Sequence, residues 1–153
     1  MYLMNSMKNM RNKMTQEKEL LFKDLCARLP SHVKVKIWLK DGTTEEGALD
    51  LEHNYANVLL DAFYYNKIKD IKPYLRPMSS MTKEEEEKYH NLCYKKEREG
   101  FEFGKWAAKT NYHNTIDSID YLNSIHIDYR GLIPMGLAIE VTKENNPYKI
   151  KLS

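Results

Sequence analysis

The stretch DIKPYLRPMSSMTKEEEEKYHNL, residues 70–92, decides the fold, because the sequence before it is typical of sheet and much of the sequence after it is typical of helix. Pro73 and Pro77 each fix φ and lack an N–H donor, so they exclude a regular helix or a central strand here. Thr82 and Glu85 have the spacing of a capping box, in which each side chain accepts a hydrogen bond from the other residue's backbone N–H. The stretch therefore predicts an extended or turning segment followed by a helix.

Length and charge predict one ordinary domain. The chain has 153 residues and a formal net charge of +2, enough length to bury a sizeable core. Lys8, Arg11 and Lys13 lie in the first 13 residues, which contain no acid. Without these three, 21 of the 24 basic residues remain against 22 acidic residues, a net charge of −1. This balance argues against a protein that coats nucleic acid non-specifically.

The two ends of the chain are expected to lie outside the domain. Residues 1–14 contain five methionines at nearly helical spacing, which would suit a small basic amphipathic helix for a membrane surface or a partner groove. Asparagine and serine between them disfavour a helix, so residues 1–13 are interpreted as a loose tail or an over-long gene start. A single domain is predicted for residues 15–142, and a loose polar tail for residues 143–153.

The cysteines and the hydropathy indicate a cytoplasmic protein. Cys26 and Cys93 form no CxxC pair, and no signal-peptide pattern is present. Reduced thiols in the cytoplasm are therefore expected. The apolar runs are only a few residues long, far below the roughly 20 residues that cross a bilayer, so no membrane segment is expected.

Before residue 70 the pattern predicts a helix and then a small bent antiparallel sheet. The helix begins after Thr15 and ends at Pro30. Alternating apolar and polar residues predict a strand from Val33 to Leu39, followed by a hairpin turn with Gly42. Further strands are predicted at Thr43–Leu51, at Ala56–Phe63 and, as the last edge strand, at Lys67–Leu75. Bent strands with short turns favour an SH3-like or Sm-like half-barrel.

After the capping box, two helices and short strands are expected to pack on this sheet. Residues 83–99 are typical of a charged helix with a narrow apolar stripe, which Gly100 would end. A short strand with aromatic side chains is predicted at residues 101–106, a second helix at Ile116–Ile125 and a final strand at Leu137–Val141. The predicted fold class is therefore α+β.

Three sequence blocks resemble a known protein family. They are KDLCARLP at residues 23–30, IKPYLRPMSSMT at residues 71–82, and SIDYLN at residues 118–123 together with DYRGLI at 128–133 and GLA at 136–138. The blocks are similar to those of a family of short proteins found in anaerobic gut bacteria and in their phages and prophages. The resemblance covers about residues 15–141. No activity is assigned to that family, so the resemblance implies an accessory gene of a mobile element and no mechanism.

No pattern in the sequence predicts a metal site, a cofactor or a catalytic centre. The five histidines are scattered, and His90 with Cys93 is only an i, i+3 pair on a helix surface. No nucleophile elbow or glycine-rich oxyanion loop accompanies either cysteine. Asp117, Asp120 and Asp128 could form a carboxylate cluster, but capping and solvation account for them without Mg²⁺. The sequence therefore favours a protein that is not an enzyme.

The outward face of the first strand is the candidate nucleic-acid face. It consists of Lys34, Lys36, Trp38 and Lys40. Lysines could contact phosphates while the indole stacks on a base, as on barrel surfaces that bind single strands. The simpler interpretation is a solvated strand face whose lysines also protect an edge from aggregation.

A second set of residues is a candidate clamp or recognition patch. It consists of Tyr74, Arg76, Asp128, Tyr129 and Arg130, the polar members of two of the family blocks. As a clamp, Arg76 or Arg130 would form a forked pair with Asp128 or a nearby carbonyl and hold the C-terminal helix against the sheet. As an exposed patch, the same tyrosines and arginines would bind a partner, because both residue types are frequent in binding hot spots.

The sequence thus predicts a non-catalytic cytoplasmic accessory protein of phage or prophage type that acts through protein–protein contacts, with an unknown protein as the most favoured partner. A small nucleic-acid-binding module that uses the candidate nucleic-acid face is the alternative, and an enzyme is the least favoured. No membrane partner is expected.

Overall fold

The computed structural model of the chain describes residues 16–52, 55–93 and 115–152. The elements in chain order are a helix over residues 16–28 (α1), β1 (Val33–Leu39), β2 (Thr44–Leu49), α2 (Tyr55–Phe63), β3 (Ile68–Leu75), α3 (Lys83–Cys93), α4 (Thr115–Ser124) and β4 (Ile139–Glu140), with short 3-10 turns at Leu29–Ser31 and Met78–Ser80. The predicted α+β class is confirmed. The predicted N-terminal extension, the predicted end of the charged helix at residues 94–100 and the aromatic strand at residues 101–106 lie outside the described residues.

The sheet has the strand order β2-β1-β3-β4. β1 is antiparallel to β2 and to β3, whereas β3 and β4 are parallel. The hairpin between β1 and β2 turns at Gly42, whose φ of 90° is accessible to glycine at little cost. Alternate residues of β1 are buried, namely Val33, Val35 and Ile37. They form the main core together with Leu21 and Leu25 of α1 and with Leu29, which follows that helix. One face of the sheet is thus covered by α1, and the opposite face carries the polar side chains.

The predicted strand at Ala56–Phe63 is wrong, since this segment is the helix α2. Leu59 is buried, and Val58, Ala62 and Phe63 pack against the core, a spacing of three and four residues that suits a helix and not a strand. Alanine and leucine in this segment also favour a helix. The four-stranded mixed sheet that results does not confirm an SH3-like or Sm-like half-barrel.

The strand predicted at Lys67–Leu75 is correct in position, as β3. It is not an edge strand as predicted, because β3 lies between β1 and β4. Pro73 lies opposite Val35 in the ladder with β1. The hydrogen-bonded positions of that ladder are the even-numbered residues of β3, so the nitrogen of Pro73 faces the other side of the strand, where β4 pairs only with Tyr74 and Leu75. The proline therefore removes no hydrogen bond from the central ladder.

The expected loose tail after residue 142 is corrected by Tyr148. Its hydroxyl accepts a hydrogen bond from the Lys34 backbone N–H at 3.0 Å and donates one to the Tyr74 carbonyl at 2.7 Å. β1 and β3 separate at this level, so the Tyr148 hydroxyl takes the place of the backbone hydrogen bond that would otherwise join Lys34 to Tyr74. The ring also stacks on His126, with 3.7 Å between centroids and 9° between planes. These contacts fix the C-terminal segment on the sheet.

The remaining elements follow the predictions closely. The capping box at the start of α3 is confirmed, since Glu85 N donates to Thr82 Oγ1 at 3.2 Å and Thr82 N donates to Glu85 Oε2 at 2.9 Å. The second predicted helix is α4. The final strand is shorter than predicted and runs parallel to β3. None of the helices in the described ranges has both the length and the apolar character needed to cross a membrane.

Replacing Tyr148 with phenylalanine should destabilise the protein by about 1–3 kcal/mol, because the Lys34 N–H and the Tyr74 carbonyl lose their shared partner while the stacked ring remains. Tyr64→Phe is the matched control, since Tyr64 is 71% exposed. The free energy of unfolding from urea denaturation checks this. Equal stability of the two variants would contradict the bridging role.

Candidate functional site

The outer face of the sheet, on the side opposite α1, presents a row of polar and aromatic side chains. The strand registers bring Lys36 of β1 beside Glu46 of β2 and Lys72 of β3, and Trp38 beside Asp70. These neighbours share a face because side chains of paired strands project to the same side. The sheet thus assembles residues from three separate parts of the sequence.

The indole ring of Trp38 lies near two lysines. The ammonium of Lys36 is 5.6 Å and that of Lys72 is 5.8 Å from the centre of the indole ring system. Both distances are within the range of a cation–π interaction. The indole is half-buried although it lies on the outer face.

Lys36 and Lys72 are each paired with a carboxylate. Lys36 Nζ lies 3.3 Å from Glu46 Oε1, and Lys72 Nζ lies 3.8 Å from Asp70 Oδ2. Glu46 also accepts a 2.7 Å hydrogen bond from the Tyr74 hydroxyl. This hydrogen bond, aided by Lys36, lowers the pKa of Glu46, while burial and the same carboxylate raise the pKa of Tyr74 to about 12. The local charge is therefore balanced and not strongly positive.

A groove of about 570 Å³ crosses this face, and we call it the sheet groove. Its lining consists of Lys36, Trp38, Glu46, Tyr74, Ile139, Glu144, Asn145, Asn146 and Pro147. The strands form the floor, and the segment 144–147, held in place by Tyr148, forms the wall. The groove combines apolar and aromatic surface with charges of both signs and amide groups.

The candidate nucleic-acid face is assembled only in part. Lys34, Lys36 and Trp38 share the outer face of β1, and two of them line the sheet groove. Lys40 lies in the hairpin turn, outside both β1 and the groove lining. Sequence reasoning missed Lys72 and Glu46, although the alternation in Asp70-Lys72-Tyr74 was the available signal. Nothing in the local sequence indicated that residues 144–147 would form the wall.

Arg76 of the clamp set is buried, with 1% of its surface exposed. Its two terminal nitrogens donate to the two carboxylate oxygens of Glu85 at 3.0 and 2.8 Å. They also donate to the carbonyl of Ser80 at 2.8 Å and to that of Ile125 at 3.3 Å. A forked pair of this kind is among the stronger polar contacts in proteins. Arg76 thus connects the end of β3 with the start of α3 and the end of α4.

Among the described residues, Asp128 does not pair with an arginine. Of the two predicted partners for Arg76, Asp128 or a nearby carbonyl, the structure shows the carbonyl, in the contacts with Ser80 and Ile125. The two carboxylate oxygens of Asp128 accept hydrogen bonds from the backbone N–H groups of Leu132 and Ile133, each at 2.8 Å. Its own N–H donates to the Arg76 carbonyl, and Arg76 N donates to the His126 carbonyl, again at 2.8 Å each. Asp128 therefore orders the turn after it, while its backbone extends the sheet past β3.

Arg130 faces Asp24 of α1. Its Nε lies 3.2 Å from Asp24 Oδ1, an ion-pair contact without hydrogen-bond alignment. Asp24 also accepts a 2.7 Å hydrogen bond from Arg28, and both of these residues are fully buried. The guanidinium groups of Arg28 and Arg130 lie 5.0 and 5.2 Å from the centre of the Tyr129 ring. Sequence reasoning missed Asp24 and Arg28, although an acid and an arginine at i, i+4 on the apolar face of α1 were the signal.

The clamp set is therefore not one exposed patch. Tyr74, Arg76 and Asp128 are buried, and Tyr129 with Arg130 is half-buried. These residues join the sheet to the surrounding helices, and only the hydroxyl side of Tyr74 contributes to the sheet groove. Of the two surfaces considered from the sequence, the outer face of the sheet is the one open to a ligand.

Metal and thiol chemistry have little support in the described parts of the chain. Within them, no group of three or more His, Cys, Asp or Glu residues could hold a metal ion. Cys26 and Cys93 are free thiols, and burial raises the pKa of Cys26, which makes it less reactive at neutral pH.

No protein-family model, curated protein or solved structure matches the chain. The fold and the geometry define its class: an α+β protein with a groove across the outer face of a four-stranded mixed sheet. The candidate functional residues of the chain are therefore those of the groove.

Arg76→Ala should cost roughly 3–5 kcal/mol of folding free energy, because it leaves the carboxylate of Glu85 without its partner in a mostly buried site. Arg130→Ala is the matched control and should cost about 1 kcal/mol or less, since its side chain is 32% exposed and Asp24 keeps Arg28. Chemical denaturation checks this. Similar losses for the two variants would contradict the assignment of Arg76 as the main connection.

Because of His126, the free energy of unfolding should decrease as the pH is lowered. His126 is buried against Tyr148, and burial together with the nearby Arg28 and Arg76 lowers its pKa from 6.5 to about 4. Because the unfolded chain binds the proton more tightly, this stability is present above about pH 6.5 and is lost as pH falls towards 4.

His126→Asn tests this, since asparagine tolerates the left-handed φ of 62° at this position. The stability difference between the parent and this variant should shrink by about 2 kcal/mol from about pH 7 to about pH 5. A difference that stays constant over this range would show that His126 titrates normally.

Proposed function

We propose that this chain is a non-catalytic protein-binding module and that the sheet groove is its contact surface. The observation that carries the proposal is Trp38, a large aromatic side chain in the lining of the groove with two lysine ammonium groups within cation–π range of its ring. Tryptophan, tyrosine and charged groups around a concave apolar floor are typical of binding hot spots. Trp38 and Tyr74 supply the aromatic surface, and the wall residues supply hydrogen-bonding groups.

The charges in the groove favour a protein ligand over nucleic acid. Glu46 and Glu144 line the groove together with Lys36, and the carboxylate of Glu46 pairs with that lysine. A phosphate backbone would meet these carboxylates, and nucleic-acid binding depends on uncompensated cations along the path of the strand. A peptide can place a basic group on one side and an acidic group on the other, together with an apolar anchor on Trp38.

The cellular setting of the proposal comes from the sequence. The cysteine usage and the resemblance to short proteins of gut bacteria and their phages and prophages support a cytoplasmic accessory factor, whose partner is a protein of the host or of the mobile element. The family blocks contribute mainly buried connecting residues such as Asp24, Arg28 and Arg76. The groove residues Lys36, Trp38 and Glu46 lie outside those blocks.

Trp38→Ala tests the proposal. The parent, this variant and the control Lys40→Ala are each used to copurify partners from the native host, and each captured protein is then purified and titrated by calorimetry. Trp38→Ala should weaken binding by about 30-fold or more, which corresponds to a loss of about 2 kcal/mol. Lys40→Ala should bind as the parent does, because Lys40 lies outside the groove lining.

Thermal melting of the three proteins controls for folding, because Trp38→Ala removes a half-buried ring. A partner that binds Trp38→Ala as tightly as the parent would contradict the groove as the contact surface. The parent could instead copurify with nucleic acid and no protein. If that binding weakened with salt and required Trp38, the nucleic-acid alternative would replace the proposal.

A further inference from the structure

The free edge of β2 borders the sheet groove, whose lining includes the Glu46 side chain, and it has its own backbone hydrogen-bonding groups. Leu39 N donates to Thr43 O at 2.9 Å, and the pairing of β1 with β2 continues from there without a shift. The hydrogen-bonded pairs therefore fall on the odd-numbered residues of β2, and the backbone groups of Thr44, Glu46 and Ala48 point away from β1. Within the described residues, no other strand pairs with this side of β2.

This edge is exposed and acidic. Residues 44–47 are exposed, although they belong to a paired strand. Glu45 has no ion-pair partner in the described part of the chain, and Glu46 keeps its contact with Lys36. The two carboxylates project to opposite faces of the strand. Because Lys36 offsets the charge of Glu46, a chain lying along the edge would meet uncompensated negative charge mainly on the Glu45 side.

The charge decides between possible occupants. A second copy of the chain, paired edge to edge through β2, would bring Glu45 and Glu46 close to their own copies, and like charges in paired strands are destabilising. An acidic or neutral strand gains nothing from these carboxylates. An extended segment with lysine or arginine on the face that Glu45 occupies forms backbone hydrogen bonds and neutralises the edge.

We propose that the edge of β2 binds an extended basic segment of a partner protein, which adds to the sheet as a further strand. Thr44, Glu46 and Ala48 supply the backbone donors and acceptors, and Glu45 selects for positive charge. The carboxylates also keep the unoccupied edge from pairing with neutral strands. This goes beyond the proposed function, because it assigns a different surface from the sheet groove and a defined partner chemistry.

The test uses the full chain and a synthetic peptide of roughly eight residues, the length of an ordinary strand, in which lysine and threonine alternate. A peptide with glutamate in place of lysine controls for charge, and one with alternate N-methylated residues controls for backbone pairing. The parent should bind the lysine peptide, with affinity that falls as salt rises. The two control peptides should each bind at least about tenfold more weakly.

Two variants distinguish the contribution of the backbone hydrogen bonds to peptide binding from the contribution of the charge. Ala48→Pro removes one outward N–H without changing charge, and proline is tolerated at such edge positions. Glu45→Lys reverses the charge without touching the groove lining. Each should weaken binding by about tenfold, whereas Ala48→Val and the groove variant Trp38→Ala should bind as the parent does.

Several results would overturn the proposal. They are no binding of the lysine peptide by the parent, equal binding of the N-methylated peptide, or loss of binding in Trp38→Ala, which would move the peptide to the groove. A dimer of the parent in sedimentation that Ala48→Pro dissociates would identify a second copy as the occupant instead. If Ala48→Pro does not fold, as judged by circular dichroism, the N-methylated peptide tests the same hydrogen bonds from the other side.

Discussion

The buried ion pair between Arg76 and Glu85 is the contact on which the arrangement of the C-terminal half depends. Glu85 Oε2 accepts both the Arg76 guanidinium and the N–H of Thr82, so one carboxylate starts α3 and fixes it to the end of β3. The same guanidinium reaches the Ile125 carbonyl at the end of α4. A buried charge pair is expensive to desolvate, and this one is compensated because nearly every donor and acceptor has a partner.

The sheet groove follows from the way β3 changes partners. Beyond Pro73, β3 leaves β1 and pairs with β4. The Tyr148 hydroxyl fills the gap that this creates in the ladder, and it thereby holds residues 144–147 above the outer face. The groove is thus a consequence of strand divergence and of one tyrosine that arrives from far along the chain.

The sequence predicted those elements whose signals are local. The alternation in Val33–Leu39, the hairpin at Gly42 and the capping box of Thr82 with Glu85 depend only on near neighbours, and all are present. The segment Ala56–Phe63 was predicted as a strand but is a helix. Its short apolar run fits the two-residue period of a strand as well as the 3.6-residue period of a helix.

Long-range pairing explains the other errors. A central strand tolerates Pro73 because the proline nitrogen faces away from β1. That orientation is set by the register of β3 with β1. The partners of Arg76 and Arg130 and the wall of the groove also depend on residues distant in sequence. The lysines and Trp38 on β1 were identified because strand alternation alone places them on one face, whereas Lys72 and Glu46 become their neighbours only through the sheet.

Two surfaces of one sheet remain open for contacts in this account. The outer face offers aromatic and mixed polar surface, and the edge of β2 offers backbone groups and negative charge. The β1–β2 hairpin contributes to both surfaces, through Lys36, Trp38 and Glu46 in the groove and through the free edge of β2. The buried side chains of Asp24, Arg28 and Arg76 supply contacts that hold the sheet and the helices together.

Hydrogen–deuterium exchange of the chain with and without a purified partner tests the central claim most directly, because it reports where the partner lies without any substitution. The account predicts slower exchange in the segments that form the sheet groove, residues 34–38, 70–74 and 144–147. Slower exchange confined to α3 and α4, with no change in these three segments, would contradict it.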